Sequence, residues 1–469
     1  MQFIILCSKN YHNFIVKKNS KSESNKSIII LVGPGFGHYH PIASLAIDLL
    51  NNDIDVIMVG DVSNNSALAE RIREDGFDFY SLSMQTKQGL LIRAFNRVWI
   101  RFLDLLYQEA AKLPTQDELP HLLARFIFGV RSYTKPLPGL SYERIKKISQ
   151  ITKEHSPMLI MTDAVSADGI NFLSAMHNIP WFEYTTSPAN IIEKDRPIYP
   201  VGLSPNFNSS EKLVNNLMLW MYTLRQVIHR KKLLNYFPAS LKKKPFFEPK
   251  NRVCFSTQEV DDYSNNQQDL YQYVGISPYR FDASGAGVDI PKDGIYVSFG
   301  STGTKKDREI LKWIAHELSK YDLPVYLQIL NPDILAEVKQ AISIEHREKF
   351  NFIGRLPGPA YDVYQNSRLV ISHGGYNTVL ESLYFGCPIL LIPNIAADRM
   401  EVARRAIENG YGHCINYYRL DSKDFHIKLA DLLGNPEIQK TIRNLQGNLR
   451  DSTNYQKFQN QIYTQIDKY

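Results

Sequence analysis

Residues 371–399, ISHGGYNTVLESLYFGCPILLIPNIAADR, place a histidine, paired glycines, Asn, Thr and Glu ahead of a proline-bracketed apolar run. If Leu369 to His373 ends a buried strand and Asn377 to Phe385 is a helix, Gly374 and Gly375 form the turn between them. Unpaired backbone N–H groups and the helix dipole make such a turn an anion site, and glycine lets a phosphate come close to the backbone. His373 can donate a hydrogen bond to the same anion, and Thr378 adds a hydroxyl in the first helical turn. Glu381 lies four residues after Asn377 on the same helix face, suited to accepting from two neighbouring hydroxyls such as those of a ribose. Together these groups describe a nucleoside diphosphate. A capped strand-to-helix turn, with Asn377 and Thr378 as helix-start residues and Glu381 in solvent, accounts for each residue singly but not for the combination.

The rest of the chain supplies elements that could carry such a turn. SIIILVG (27–33) reads as a buried strand, PIASLAIDLL as a helix and DVIMVG as a strand. After a long helical interval come SPMLIMTD (156–163) and IPWFEY (179–184), two strands separated by a helix. A second series repeats the pattern: GIYVSFG, helix 306–320, PVYLQIL, helix 333–348, KFNFIG, a short helix, RLVISH, helix 376–386, PILLIP, helix 398–410 and GHCI. Continuous Val/Ile/Leu runs mark parallel strands covered on both faces. The pattern predicts an α/β fold of two doubly wound, Rossmann-like domains facing each other across a cleft, with ligands at the carboxyl ends of the strands. Residues 1–26 read as a poorly ordered extension, 27–275 as the amino-terminal domain, 276–292, rich in Gly, Pro and Asp, as a linker, and 293–469 as the carboxy-terminal domain, whose last helix could cross back to the amino-terminal one.

Composition narrows the classes. With 469 residues and 44% hydrophobic content the chain can fill two or three cores. No apolar run approaches the ~20 residues that span a bilayer. The opening MQFIILC is too short an apolar block for a signal peptide, so a cytoplasmic protein is expected. Cys7, Cys254, Cys387 and Cys414 are scattered, with no CxxC pair for a metal or redox centre, and read as reduced core thiols. A formal net charge of +6 gives little support to a nucleic-acid partner but suits an anionic ligand or an anionic membrane surface.

HGGYNTVLESLYFGCPILLIPNIAADR resembles the donor-binding signature of the UDP-glycosyltransferase superfamily, nucleotide-sugar-dependent inverting enzymes of the GT-B fold. VSFGST (297–302), NFIGRLP (351–357), GFGHYHP (35–41) and PMLIMTDAVSADGINFLSAMHNIP (157–180) fall where that family has counterparts, so the resemblance covers residues 27 to about 450. It implies that His373 and the amides of Gly374, Gly375 and Thr378, with Ser301 and Thr302, bind the diphosphate, that Asn377 and Gly37 line the donor site, and that Glu381 holds the ribose. It places Leu356 at the base-stacking position, often Trp in plant members, and Asp398 as the acid that binds sugar hydroxyls. The next residue, commonly Gln or Asn, is Arg399 here. UDP is the nucleotide favoured by family frequency, and another such as dTDP stays open. The nucleotide sugar is a co-substrate, and no resident cofactor or metal is implied.

The same resemblance assigns the general base to His38, within GHxxP. Imidazole titrates in the useful range, and Asp163 is the carboxylate that would fix its tautomer and stabilise the imidazolium, as in a hydrolase triad without the serine. His40 and Asp168 are the competing candidates. The implied reaction is a single in-line displacement with inversion at the anomeric carbon. A retaining enzyme would carry two glutamates eight apart in the donor segment. Ile389 stands eight beyond Glu381, and the pair Glu309/Glu317 lies in another helix, so retention is disfavoured. A sugar-nucleotide epimerase shares the architecture, but HGGxNTxxE followed by PxxxxD resembles transferases more closely; an inactive binding protein could also keep the fold, and the presence of both His38 and Asp163 speaks against it.

The acceptor is read from two segments. In 87–107, Arg93, Arg97 and Arg101 repeat every fourth residue beside Phe95, Trp99 and Phe102, and 211–244 is again basic and aromatic. A basic amphipathic face can lie on anionic lipid, in keeping with a lipid acceptor and peripheral membrane contact. An ordinary helix with a solvated charge stripe beside a small-molecule acceptor cleft is the other reading.

Overall fold

The structure is a computed structural model describing residues 26–61, 66–82, 90–115, 118–134, 142–167, 169–188, 201–203, 206, 208–234, 249–261, 271–276, 291–300, 305–354, 361–394 and 398–468. The first series of elements runs β1 (Ser27–Val32), α1 (Phe36–Asn51), β2 (Asp55–Gly60), α2 (Ser66–Glu74), β3 (Asp78–Ser81), α3 (Leu90–Ala111), α4 (Leu122–Thr134), α5 (Tyr142–His155), β4 (Leu159–Asp163), α6 (Ile170–His177), β5 (Trp181–Thr185), α7 (Ser209–Leu234), β6 (Asn251–Cys254), α8 (Gln258–Asp261) and β7 (Gln272–Tyr273). The second runs β8 (Gly294–Ser298), α9 (Lys305–Leu318), β9 (Val325–Gln328), α10 (Pro332–Ala341), β10 (Phe350–Ile353), α11 (Tyr361–Gln365), β11 (Ser367–Ser372), α12 (Tyr376–Tyr384), β12 (Ile389–Leu391), α13 (Arg399–Glu408), β13 (Gly412–Cys414), α14 (Ser422–Gly434), α15 (Pro436–Arg450) and α16 (Thr453–Ile466).

Two parallel sheets result, ordered β3-β2-β1-β4-β5-β6-β7 and β10-β9-β8-β11-β12-β13. Their central strands are apolar along their length because helices cover both faces: every residue of β1, β4 and β8 is buried. In each sheet the strand order reverses once, between β1 and β4 and between β8 and β11. Crevices that bind ligands open at such points, where the helices leave the sheet in opposite directions.

Each half also lends side chains to the other's core. Tyr455, Phe458, Ile462 and Ile466 of α16 are buried against β1, β2 and β4. Conversely Leu103, Tyr107 and Ala111 of α3 and Phe128 of α4 join the core of the second sheet. Each fully buried large apolar side chain is worth roughly 1.5–3 kcal/mol, so these exchanges hold the halves firmly. Glu118, after α3, accepts from the N–H of Cys414 on the edge strand β13 at 2.7 Å and meets His413 Nδ1 at 2.9 Å, covering an edge that would otherwise be open.

The structure departs from sequence expectation at several elements. α1 starts at Phe36, ahead of the helix expected from Pro41, so His38 lies in its first turn. The N–H groups of His38 and Tyr39 both bond to Gly35 O, at 3.1 and 3.2 Å, which starts the helix ahead of Pro41. Pro41, inside the helix, removes only the bond to the carbonyl four residues back, that of Gly37. The helix expected over 333–348 ends at Ala341, because Ile342 is extended and buried, and a 3₁₀ turn follows over Ile344–Lys349. β3, β6 and β7 were missing from the expectation: they span four, four and two residues, too short for a hydrophobic period to show.

Candidate functional site

His38 follows β1 and Asp163 closes β4, neighbouring strands at the order reversal of the first sheet. Their side chains meet, His38 Nδ1 standing 2.9 Å from Asp163 Oδ2. Thr186 Oγ1, just past β5, lies 2.9 Å from the same nitrogen. With the Nδ1 proton donated to the carboxylate, Nε2 is left as the basic nitrogen. Asp163 is 1% exposed while His38 keeps a quarter of its side-chain surface open, so the ring presents one edge to the cleft. Burial pulls the His38 pKa down, but the charge and hydrogen bond of Asp163, with the charge of Asp398, overcome it and hold it above 6.5. His40 is exposed and turned toward the rings of Phe36 and Tyr39. A side chain on Gly33 would put its Cβ 2.7 Å from His38 Cγ, so only glycine leaves room for the ring here.

The second crevice holds the HGG turn. His373 follows β11, Gly374 takes φ +91°, which favours glycine, and α12 begins at Tyr376. The N-cap residue of α12 is Gly375, so among the described residues no N-cap side chain takes up its first N–H groups. The capped-turn reading of Asn377 and Thr378 therefore fails. Asn377 instead donates from Nδ2 to Gly37 O at 2.7 Å, the carbonyl that Pro41 leaves without a helical partner. That bond joins the turn bearing His38 to the turn bearing the glycines. His373 is buried between Gly300 and Gly375, where added Cβ atoms would lie 3.0 and 3.3 Å from its ring. Burial, then the Arg399 charge, depress its pKa to about 3, so it brings a hydrogen bond to the turn but no charge. Nδ1 is 3.5 Å from both Ser298 O and Ser372 Oγ. Ser298 O can only accept and so favours Nδ1–H, whereas the Nε2–H tautomer that could serve an anion requires the Ser372 hydroxyl to donate into Nδ1.

Glu381 is not simply solvated. It accepts from the buried Tyr364 hydroxyl, to which Thr378 in turn donates, and burial followed by the Glu381 charge keeps that tyrosine protonated. Glu381→Gln is expected to keep this packing and weaken nucleoside-diphosphate binding by about 1.5–3 kcal/mol, the worth of a hydrogen bond to a charged group. Isothermal titration checks it, and unchanged affinity would count against a ribose contact. Glu381→Ala should additionally lower the melting temperature, since it strands the Tyr364 hydroxyl.

Asp398 and Arg399, both buried, open α13. Burial raises the Asp398 pKa against the opposing effects of a Ser187 hydrogen bond and the charges of Arg399 and His38. Ser187 comes from the first half of the chain and thus bridges the cleft. The Arg399 guanidinium is bonded to Asn394 Oδ1 and lies in the field of Asp398 and Asp307. Arg399→Gln is expected to destabilise the fold by roughly 3–5 kcal/mol, because it strips a cation from beside buried carboxylates. Thermal melting measures this, and a loss under 1 kcal/mol would show that the carboxylates do not depend on it.

Ser301, Thr302, Leu356 and Asp168 lie outside the described residues, as do residues 1–25, residues 277–290 of the expected linker and the side chains of Arg93, Phe95 and Arg97. Among the described residues, no cluster of His, Cys, Asp and Glu is placed to hold a metal ion, and no helix is long and apolar enough to cross a membrane. Sequence reasoning missed Gly33, Thr186 and Tyr364. Only Gly33 had a signal, as a strand-end glycine five residues ahead of the histidine.

Comparison with known proteins gives concordant findings. The family model of the glycosyltransferase family 28 C-terminal domain matches residues 295–454. A Caenorhabditis elegans protein provisionally named UDP-glucuronosyltransferase ugt-50 is 24% identical over 366 residues, 70% of this chain and 63% of that protein. The UDP-N-acetylglucosamine--N-acetylmuramyl-(pentapeptide) pyrophosphoryl-undecaprenol N-acetylglucosamine transferase of Rickettsia felis is 26% identical over 182 residues, 34% of this chain and 47% of that enzyme. The chain thus spans less than two thirds of the length of either relative. Among solved structures, the glycotransferase of kitacinnamycin superposes with a TM-score of 0.63 at 14% identity, covering 94% of this chain and 98% of that one. Glycosyltransferase VinC, solved in complex with dTDP, superposes at 0.60 and 12% identity over 94% of this chain and 100% of its own.

Proposed function

We propose that this chain, which has the GT-B fold and is similar to UDP-glycosyltransferases, is an inverting glycosyltransferase. It moves a sugar from a nucleoside-diphosphate sugar to a hydroxyl of a small-molecule or lipid acceptor. The observation that carries the reading is the 2.9 Å contact of His38 Nδ1 with Asp163, joined across the cleft to the HGG turn by Asn377 and Gly37. His38 Nε2 takes the proton of the acceptor hydroxyl. The acceptor oxygen forms its bond to the anomeric carbon as the bond to the diphosphate breaks, and the diphosphate leaves with that electron pair. Asp163 steadies the imidazolium. The helix-start amides of α12 and the His373 N–H receive the developing phosphate charge, Glu381 holds the ribose, and Asp398 meets sugar hydroxyls.

UDP is the proposed nucleotide, in keeping with the names of the two relatives, and dTDP, the ligand of VinC, is the alternative. A thermal-shift series over UDP, dTDP and their sugar conjugates tests the reading. A ligand at about 100 times its Kd should add roughly 2.7 kcal/mol of stability. Silence from every nucleotide would remove the proposal. Nucleotide binding without release of nucleoside diphosphate from any sugar conjugate, with acceptor present, would leave a binding protein.

A further inference from the structure

α7 is apolar on two opposite faces. Inward it packs Val214 and Met218 against Val201 and Leu203. Outward, Leu213, Leu217, Trp220, Leu224, Val227 and Ile228 leave between 42 and 63% of their surface in solvent. Steps of three and four residues keep these six within a sector of about 100°, a stripe about 22 Å long. α3 repeats the arrangement: Leu103, Tyr107 and Ala110 face inward while Val98, Phe102, Leu105 and Leu106 are exposed. α4 packs against both helices. Scattered exposed leucines are ordinary, but two continuous stripes on helices that share a neighbour mark a surface that something covers.

Charge identifies the partner. The α7 segment carries Lys212, Arg225, Arg230, Lys231 and Lys232 against a lone acid, Glu211, with Arg225 turned to Ser132 O of α4. That acid is turned inward, 3.5 Å from Arg125. Lys212 and Lys231 are exposed toward the two ends of the stripe, and Arg101 is exposed on α3. An apolar stripe with a central tryptophan and lysines toward its ends is the pattern of a helix lying in a bilayer interface, its rings and aliphatic stems among acyl chains and its ammonium groups at headgroup phosphates. Protein interfaces, by contrast, are depleted in lysine. We propose that the face built by α7 and α3 docks this protein onto an anionic lipid bilayer. The proposal does not rest on the sugar-transfer reading: it would hold for a binding protein of the same surface.

Co-sedimentation of the full chain with vesicles of phosphatidylcholine, with and without phosphatidylglycerol, tests it. Binding is expected to the phosphatidylglycerol vesicles, weaker binding to phosphatidylcholine alone, and loss in high salt. The double variant Leu217→Glu/Leu224→Glu should lower the partition coefficient tenfold or more while melting like the parent, because both side chains are already in solvent. Lys212→Glu/Lys231→Glu should erase the preference for phosphatidylglycerol. Absence of binding to either vesicle, or parental binding by the Leu217→Glu/Leu224→Glu protein, would overturn the proposal. So would self-association in vesicle-free buffer that this variant abolishes, which would make a second copy of the chain the occupant.

Discussion

His38→Ala is expected to leave nucleotide affinity nearly unchanged and to cut sugar transfer by ~10²–10⁴-fold, the usual contribution of a positioned general base. The ring belongs to the first sheet's crevice, whereas the diphosphate turn belongs to the second, so binding and chemistry separate. Asp163→Asn should cost a similar amount or less, and the double variant no more than His38→Ala alone, because the two residues act as a unit. The pH profile adds a sharper test. His38 serves as a base only when neutral, and its pKa is held above 6.5, so kcat/KM should fall on acidification along a limb above that pH. Asp163→Asn removes the charge and weakens the hydrogen bond that raise the pKa, while burial, which lowers it, remains. The limb should therefore move to lower pH in that variant. His40→Ala, at an exposed ring away from Asp163, should transfer like the parent. Full activity in His38→Ala would remove the mechanism.

The HGG turn and the strand series were legible because they are local. A buried parallel strand shows as an unbroken apolar run, as in β1, β8 and β11, and a glycine pair between strand and helix shows as a break in that run. His38 and Asp163 stand 125 positions apart, and nothing local in the sequence pairs them; their contact follows from β1 and β4 being adjacent, which strand order alone decides. Resemblance supplied that pairing in advance. It could not supply the third dimension at Glu381, whose bond to Tyr364 depends on α11 packing beneath α12, nor at Arg399, whose guanidinium turns to Asn394. α7 was read as basic and aromatic, but a helix with apolar residues on opposite faces has no clean period, and only the packed structure tells the inward face from the outward one. The bond from Asn377 to Gly37 could have been sought through Pro41, since a proline inside a helix always frees one carbonyl.

Gly33→Ala is expected to lower transfer by ~10²-fold or more, though residue 33 touches neither substrate nor proton. Gly33 is not among the residues with positive φ, so its backbone accepts alanine without strain. The added methyl group, however, would stand 2.7 Å from His38 Cγ and 2.8 Å from Nδ1. Carbon atoms pack at about 3.5–4.0 Å, so the ring must turn, and with Asp163 and Thr186 both 2.9 Å from Nδ1 it cannot turn and keep the carboxylate. Nucleotide affinity should stay at the parental value, because the donor turn lies in the other sheet. The acid limb of kcat/KM should move to lower pH, as in Asp163→Asn, since the ring loses the same partner. A double-mutant cycle separates this positioning role from simple destabilisation. In the His38→Ala background the methyl group meets no ring, so Gly33→Ala should cost no further activity. Equal losses of activity in both backgrounds would show that Gly33 acts through the strand and not through the histidine.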